Sequence, residues 1–229
     1  MARRGVAGES STRVARAIVR RLEKMSGRRV RVHHVDPSDA RVNRHHLPGH
    51  TPSGHTTARD APNSRRGWEP DTIYRVHDRD TGLSAVYQTD RHGRVSRVEG
   101  RLVRNKNVRD PDQQVLSGGA DRRQSGNPQG YDTDAGGHII ARELGGSGAG
   151  INTLPQSWRE NSYGQWRNME RRLKDLVDAD NDVDLKVVPK YRGEGERPDW
   201  FKVEYTVTPR DGSPPYTVTE VISNRSKPK

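Results

Sequence analysis

Apolar positions recur along this chain at two different periods. Between residues 9 and 26, Val14, Ala17, Ile18, Leu22 and Met25 return at steps of three and four, with basic residues between them. That spacing predicts an amphipathic helix, capped by Ser11 or Thr12 and ended by Gly27. A basic helix of this kind docks on a partner or a membrane surface, or packs on its own domain. After Trp68 the period becomes two. Ile73, Arg75 and His77 would share one face of a strand, with Tyr74 and Val76 on the other; "LSAVYQT" and "RVSRVEGRLV" are two further strands. The turn sequences "DRDTG" and "TDRHG" separate them, so the segment Asp71–Arg104 reads as a β-meander. A short strand, "GHIIA", is expected between two polar loops, 105–137 and 143–161. A helix should then begin at Asn161 or Ser162, because Trp166, Met169, Leu173, Leu176 and Val177 form one apolar stripe. "DVDLKVVPKY", "DWFKVEYTVTP" and "PYTVTEVIS" return to strand. Phe201, Val203, Tyr205 and Val207 alternate cleanly, and Asp211–Gly212 is a hairpin signal. This order predicts an α+β fold with an antiparallel or mixed β-sheet.

Residues 36–67 show no apolar period and are rich in Pro, Gly, Ser, Thr and His, as a linker is. The histidines between His33 and His55 are irregularly spaced, Pro and Gly intervene, and no cysteine supports them, which argues against a zinc site. The expected organisation is therefore a largely disordered basic arm over residues 1–66, with a short amphipathic helix and a Pro/Gly/His-rich linker, and a domain over 67–229. Charge sharpens this division. Of a net charge of +11, residues 1–66 hold 15 Arg+Lys against 5 Asp+Glu, and the remaining 163 residues hold 26 against 25. A polycationic segment attracts polyanions with strong salt dependence, although an arginine-rich solvated arm would look the same. With 29% hydrophobic residues, the 229-residue chain supports one modest core. The absence of cysteine excludes disulfides and thiolate metal sites. No apolar run has membrane-spanning length, and arginines interrupt the N-terminus where a secretory signal needs an unbroken apolar stretch.

The residues with chemical potential cluster in the central loop and at the expected helix start. They are His138, the "NTLPQ" segment (Asn152 to Gln156), Asn161 and Glu170. Phosphodiester hydrolysis suits them. Histidine has the intrinsic pKa to deprotonate a water near neutrality. A divalent cation stabilises charge on the phosphorane and the leaving oxygen. A hard cation such as Mg²⁺ retains several waters and needs few protein oxygens, so the amide of Asn161 could suffice. Each residue also has an ordinary explanation: a loop histidine, an N-cap asparagine, and a Glu170–Lys174 pair on a solvated helix face.

The segments "GGHIIARELGGSG" and "INTLPQSWRENSYGQWRNME" together resemble the DNA/RNA non-specific endonuclease family, in its bacterial toxin-type branch with a ββα-metal (His-Me finger) motif. The resemblance extends in element order from Asp71 to Ser223, with its specific matches between Gly136 and Glu170. It implies His138 as general base and Asn161 as direct metal ligand. Asn152, Gln156 and Glu170 would supply the surrounding water and hydrogen-bond shell. It further implies a divalent metal cofactor (Mg²⁺, with Mn²⁺ as a substitute) and cleavage of DNA, with RNA as a second substrate, to a 5′-phosphate and a 3′-hydroxyl. A toxin or effector of this kind implies a cognate immunity protein, export by a dedicated secretion or injection route, and a cytoplasmic location in the producing cell. Two departures stand out. Gly136 occupies the place of the family's arginine, with the aspartate displaced to Asp134, and Glu170 lies one residue further from Asn161 than is usual. Arg123 is the preferred replacement for the missing guanidinium, with Arg122, Arg142 and Arg167 as further nucleic-acid contacts, since arginine suits bidentate phosphate binding. The basic arm would supply much of the attraction for substrate. The competing readings are a basic nucleic-acid-binding protein with an inactive nuclease-like core, an interaction domain unrelated to nucleic acid, and a nuclease that needs no immunity partner.

Overall fold

A computed structural model of the chain describes residues 2–26, 32–35, 68–79, 81–105, 134–147, 150–195 and 197–224. The expected linker over 36–67, most of the histidine cluster, Arg122 and Arg123 lie outside these residues. The elements in chain order are α1 (Ala2–Ser26), β1 (Val32–Val35), β2 (Ile73–His77), β3 (Ser84–Thr89), β4 (Val95–Arg101), β5 (Asp134–His138), β6 (Thr153–Ser157), α2 (Trp158–Ser162), α3 (Gln165–Asp178), β7 (Asp182–Lys190), β8 (Trp200–Thr208) and β9 (Tyr216–Ser223).

The two stretches of period-two pattern join into one sheet, ordered β1-β2-β3-β4-β7-β8-β9. The joint is the antiparallel pairing of β4 with β7, which sets Val98 opposite Val187 and Gly100 opposite Leu185. β1 runs parallel to β2, and the other neighbours are antiparallel. The fold is thus α+β with a mixed sheet. β5 and β6 stand apart as a two-stranded hairpin.

The main core lies on one face of the large sheet. Tyr74, Val76, Ala85, Tyr87, Val98, Val187 and Phe201 meet Ile139, Ile140, Leu154, Trp166, Met169 and Leu173. The rings of Trp166 and Phe201 approach to 4.6 Å between centroids. Burying side chains of this size contributes about 1.5–3 kcal/mol each, so the core fixes the hairpin and α3 against the sheet.

α1 packs on the opposite face. Ala15, Ile18 and Leu22 contact Ile73 and Val86, the positions that alternate away from the main core. The buried stripe is shifted from the one expected: Met25 is 74% exposed, whereas Ser11 and Ala15 are fully buried. Close approach to the sheet explains the shift. The Ser11 hydroxyl accepts from Ser84 N at 2.8 Å and lies 3.1 Å from the carbonyl oxygens of Ser84 and Arg101, which a longer apolar side chain could not do. α1 and β1, both inside residues 1–66, are attached to the sheet.

Candidate active site

The strand expected over "GHIIA" starts earlier than its pattern suggested. β5 spans Asp134–His138 and ends on the histidine, which sits opposite Thr153. Ile139 and Ile140, 2% and 1% exposed, turn away into the core. His138 is itself buried at 6% exposure, with its Nε2 enclosed by protein.

Asn152 holds the turn that follows. Its Oδ1 accepts from Ile140 N and from the Tyr87 hydroxyl, both at 3.0 Å. Its Nδ2 donates to the carbonyls of Ile140 (2.9 Å) and Ser147 (2.8 Å), and its own carbonyl accepts from Ile139 N. Both donors and both lone pairs of the side-chain amide are thereby used within the protein. Asn152 braces the backbone just after His138. Gly146 is required alongside, because a Cβ there would fall 1.8 Å from the Ile140 carbonyl oxygen.

"TLPQS", expected within a loop, is instead β6. Proline is tolerated because β6 pairs with β5 along one edge only. The other edge is served by Asn224, which accepts from Ser157 N and donates to the carbonyls of Pro155 and Pro198. Gln156 is 1% exposed and lies over Gly137, where a Cβ would meet its Oε1 at 1.8 Å. Among the described residues, neither polar atom of the Gln156 amide finds a hydrogen-bond partner. Strand alternation sets Gln156 on the Gly137 side of the hairpin and His138 on the Gly136 side. The two residues lie on opposite faces of the same short sheet.

Asp134 opens β5 and is paired bidentately with Arg197, at 2.7 and 3.0 Å. Arg197 comes from the loop between β7 and β8. Arg94 steadies that loop by donating to the carbonyls of Gly193 (2.9 Å) and Gly195 (2.8 Å) and by lying 4.3 Å from the centre of the Tyr191 ring. Sequence reasoning missed Arg197 and Asn224, because each reaches its partner across more than 60 residues and neither stands in a motif.

The expected helix is split. Asn161, half-buried, lies within α2, which ends at Ser162, and α3 begins at Gln165. Asn161 is thus not a helix cap. Gly164 allows the break, since a Cβ there would collide with Glu160, whose carboxylate accepts from Gln165 N at 2.9 Å. On α3, Glu170 does not pair with Lys174, which bonds Asp178 instead. It is 9% exposed and accepts from Trp166 Nε1 and Arg167 Nη1, both at 3.1 Å. Burial pushes the Glu170 carboxyl up from its ordinary 4.5 to about 7, with Arg167 and Trp166 pulling the other way. Arg167 also reaches Glu143 at 3.5 Å, so this proposed nucleic-acid contact lies between two carboxylates. Arg142 donates to the Gly146 carbonyl at 3.3 Å.

Among the described residues, no three His, Asp or Glu side chains gather to hold a metal. What the region offers is the half-buried amide of Asn161 and one buried carboxylate, Glu170. This donor set fits a hard cation that keeps most of its waters, and does not fit a multi-histidine site.

Residues 70–209 match the family model described as DNA/RNA non-specific endonuclease. The chain is 35% identical over 136 residues to the type VII secretion system protein EssD of Staphylococcus aureus (strain USA300), covering 56% of this chain and 20% of EssD. It is 39% identical over 69 residues to the probable deoxyribonuclease RhsA of Dickeya dadantii (strain 3937), covering 30% of this chain and 5% of RhsA. It therefore spans only about a fifth of EssD. A solved Sda1 nuclease with bound zinc ion resembles the chain at a TM-score of 0.43 and 16% identity, covering 69% of this chain and 85% of that one. The hairpin, both helices that follow it and most of the sheet fall inside the matched region, and the chain belongs to the DNA/RNA non-specific endonuclease family.

Proposed function

We propose that His138 is the general base of this nuclease and Asn161 the protein ligand of its divalent metal, Mg²⁺ in preference to Mn²⁺. The observation that supports this reading is the order of elements. His138 ends the first strand of an isolated hairpin, and the second strand runs directly into the helix that carries Asn161. His138 takes a proton from a water whose oxygen bonds to phosphorus. The bond to the 3′ oxygen breaks, leaving a 5′-phosphate and a 3′-hydroxyl, with the departing oxygen protonated from solvent. A divalent cation held at Asn161 would offset the charge that develops on the phosphoryl group. Asn152 and Gln156 support the base from its two chain neighbours, Ile139–Ile140 and Gly137. Glu170, held by Trp166 and Arg167, would accept hydrogen bonds from waters around such a cation. Arg142 and Arg167, with Arg122 and Arg123 of the intervening segment, are the phosphate contacts. The chemistry addresses the backbone, which carries no base information, so DNA is cleaved without regard to sequence.

The likeness to EssD, a type VII secretion system protein, supports a further step: the chain is the nuclease portion of an exported antibacterial toxin, with a cognate immunity protein in the producing cell. The chemistry is tested by nicking of supercoiled plasmid with Mg²⁺, with and without chelator. His138→Ala should lower the rate by roughly 10²–10⁴-fold, and Asn161→Ala should raise the Mg²⁺ concentration needed for half-maximal rate. Full activity in His138→Ala overturns the assignment of the base.

A further inference from the structure

We propose that the outward face of α1 is a second, non-catalytic site for the phosphate backbone of long nucleic acid. Arg13, Arg16, Arg20 and Lys24 are exposed and form no ion pair with any described residue. At 100° per residue they fall within about 80° of one another, on the side of the helix away from Ala15, Ile18 and Leu22. From Arg13 to Lys24 the stripe runs for about 16 Å, the length of roughly five nucleotide steps of one strand. Glu9 and Glu23 flank it. Arg75, on the strand beneath, is held below its ordinary pKa by burial first and then by the nearby charge of Arg16, so a further cation lies close under the stripe.

The hairpin face is different. Arg167, Arg197, Arg104, Lys174 and Arg172, on or near that face, are each bound to a carboxylate. A nuclease must hold a polyanion, and among the described residues a row of exposed cations without carboxylate partners lies on α1, across the sheet from the hairpin. A membrane surface is a poorer occupant, because the apolar face that would enter a bilayer is already packed on Ile73 and Val86. Substrate held on α1 raises the effective concentration of its distal segments at the hairpin. This requires a polynucleotide long enough to pass from one face to the other.

The test substitutes all four residues, Arg13→Gln, Arg16→Gln, Arg20→Gln and Lys24→Gln, in the full chain. Because they point to solvent, the fold should be retained, which circular dichroism and the urea midpoint check. Binding to a 60-base-pair duplex is measured in chelator, where no cleavage occurs. The slope of log K against log salt should become shallower by about 0.9 for each lost phosphate contact, up to about 3.6 for four. The wild-type advantage should then shrink by up to on the order of 10²-fold between 50 and 200 mM salt. With Mg²⁺, KM on the long duplex should rise while kcat holds, and kcat/KM on an 8-base-pair duplex, about 27 Å long, should stay unchanged. An unaltered salt slope and an unaltered KM on long DNA overturn the proposal. So does a variant that loses binding to anionic vesicles, or to an acidic partner protein, while keeping its affinity for DNA. Because binding is read without turnover, the outcome is independent of whether His138 is the base.

Discussion

The two faces of the seven-stranded sheet hold polar groups in opposite ways. On the hairpin face Asp134, His138, Asn152, Gln156, Glu170 and Asn224 are all at most 9% exposed, and they sit among hydrogen bonds that join segments far apart in sequence. On the α1 face the contact is a small apolar patch with one serine–threonine cluster, an Arg21–Glu99 ion pair and an Arg101–Ser10 hydrogen bond, while Arg13, Arg16, Arg20 and Lys24 are exposed. Buried polar groups cost free energy unless partners are fixed around them. A protein retains such an arrangement where groups must be held in position for a reaction. Exposed charges of one sign cost little and act over a Debye length of about 10 Å at 0.1 M salt. The contrast assigns positional work to one face and attraction to the other.

The largest effect expected is on the hairpin face. Asn152→Ala leaves Ile140 N, two carbonyls and the Tyr87 hydroxyl without their bonds in a buried site. At about 1–3 kcal/mol per stranded group, with partial relaxation, the loss is about 4 kcal/mol, read from urea unfolding. A cost below about 1 kcal/mol would mean that the turn after His138 is held by core packing alone, and the contrast between the faces would weaken.

Next comes Glu170. Its folded pKa is raised to about 7 by burial, so the native state binds a proton that the unfolded chain has already released. Stability must therefore fall as pH rises from about 4.5 to about 7, and stay low above that. At 1.36 kcal/mol per unit, the wild type should lose up to about 3 kcal/mol relative to Glu170→Gln between pH 4.5 and pH 8. The difference between the two proteins, measured by urea unfolding at both pH values, isolates this group from the other carboxylates. A flat difference would mean that Arg167 and Trp166 compensate the burial completely.

The sequence was more legible where a period governs the side chains. The α3 stripe held through Trp166, Met169 and Leu173, and so did the alternation of β8, because burial on one face imposes those repeats. Legibility failed where polar bonds between distant segments decide the backbone. β6 carries Thr153, Pro155 and Gln156 and has no apolar alternation, so nothing local marked it as a strand. Its existence depends on β5 along one edge and on Asn224 along the other. The break at Tyr163–Gly164 depends on a glutamate four residues earlier, and Arg197 meets Asp134 only once the sheet has formed. The α1 stripe was misplaced for a related reason. Apolar counting favours Met25 over Ser11, whereas a tight approach to β3 favours the small polar residue.

Ser11 gives the smallest effect and tests the α1 side of the contrast directly. Ser11→Ala removes the acceptor for Ser84 N and the donor to the carbonyls of Ser84 and Arg101. Alanine fills almost the same space, so no cavity forms, and the cost should be about 1–2 kcal/mol. Since α1 is joined to the sheet by a patch of five buried apolar residues, the loss should appear first as local undocking. Trypsin would then cut at Arg13 or Arg16 in the variant under conditions that leave the wild type intact, while urea unfolding of the remainder scarcely moves. Undocking also loosens the helix that carries the cationic stripe, so the affinity for a long duplex should fall by less than in the fourfold variant. A Ser11→Ala cost matching that of Asn152→Ala would show α1 to be as deeply committed to the core as the hairpin, and the division of labour between the faces would lose its energetic basis.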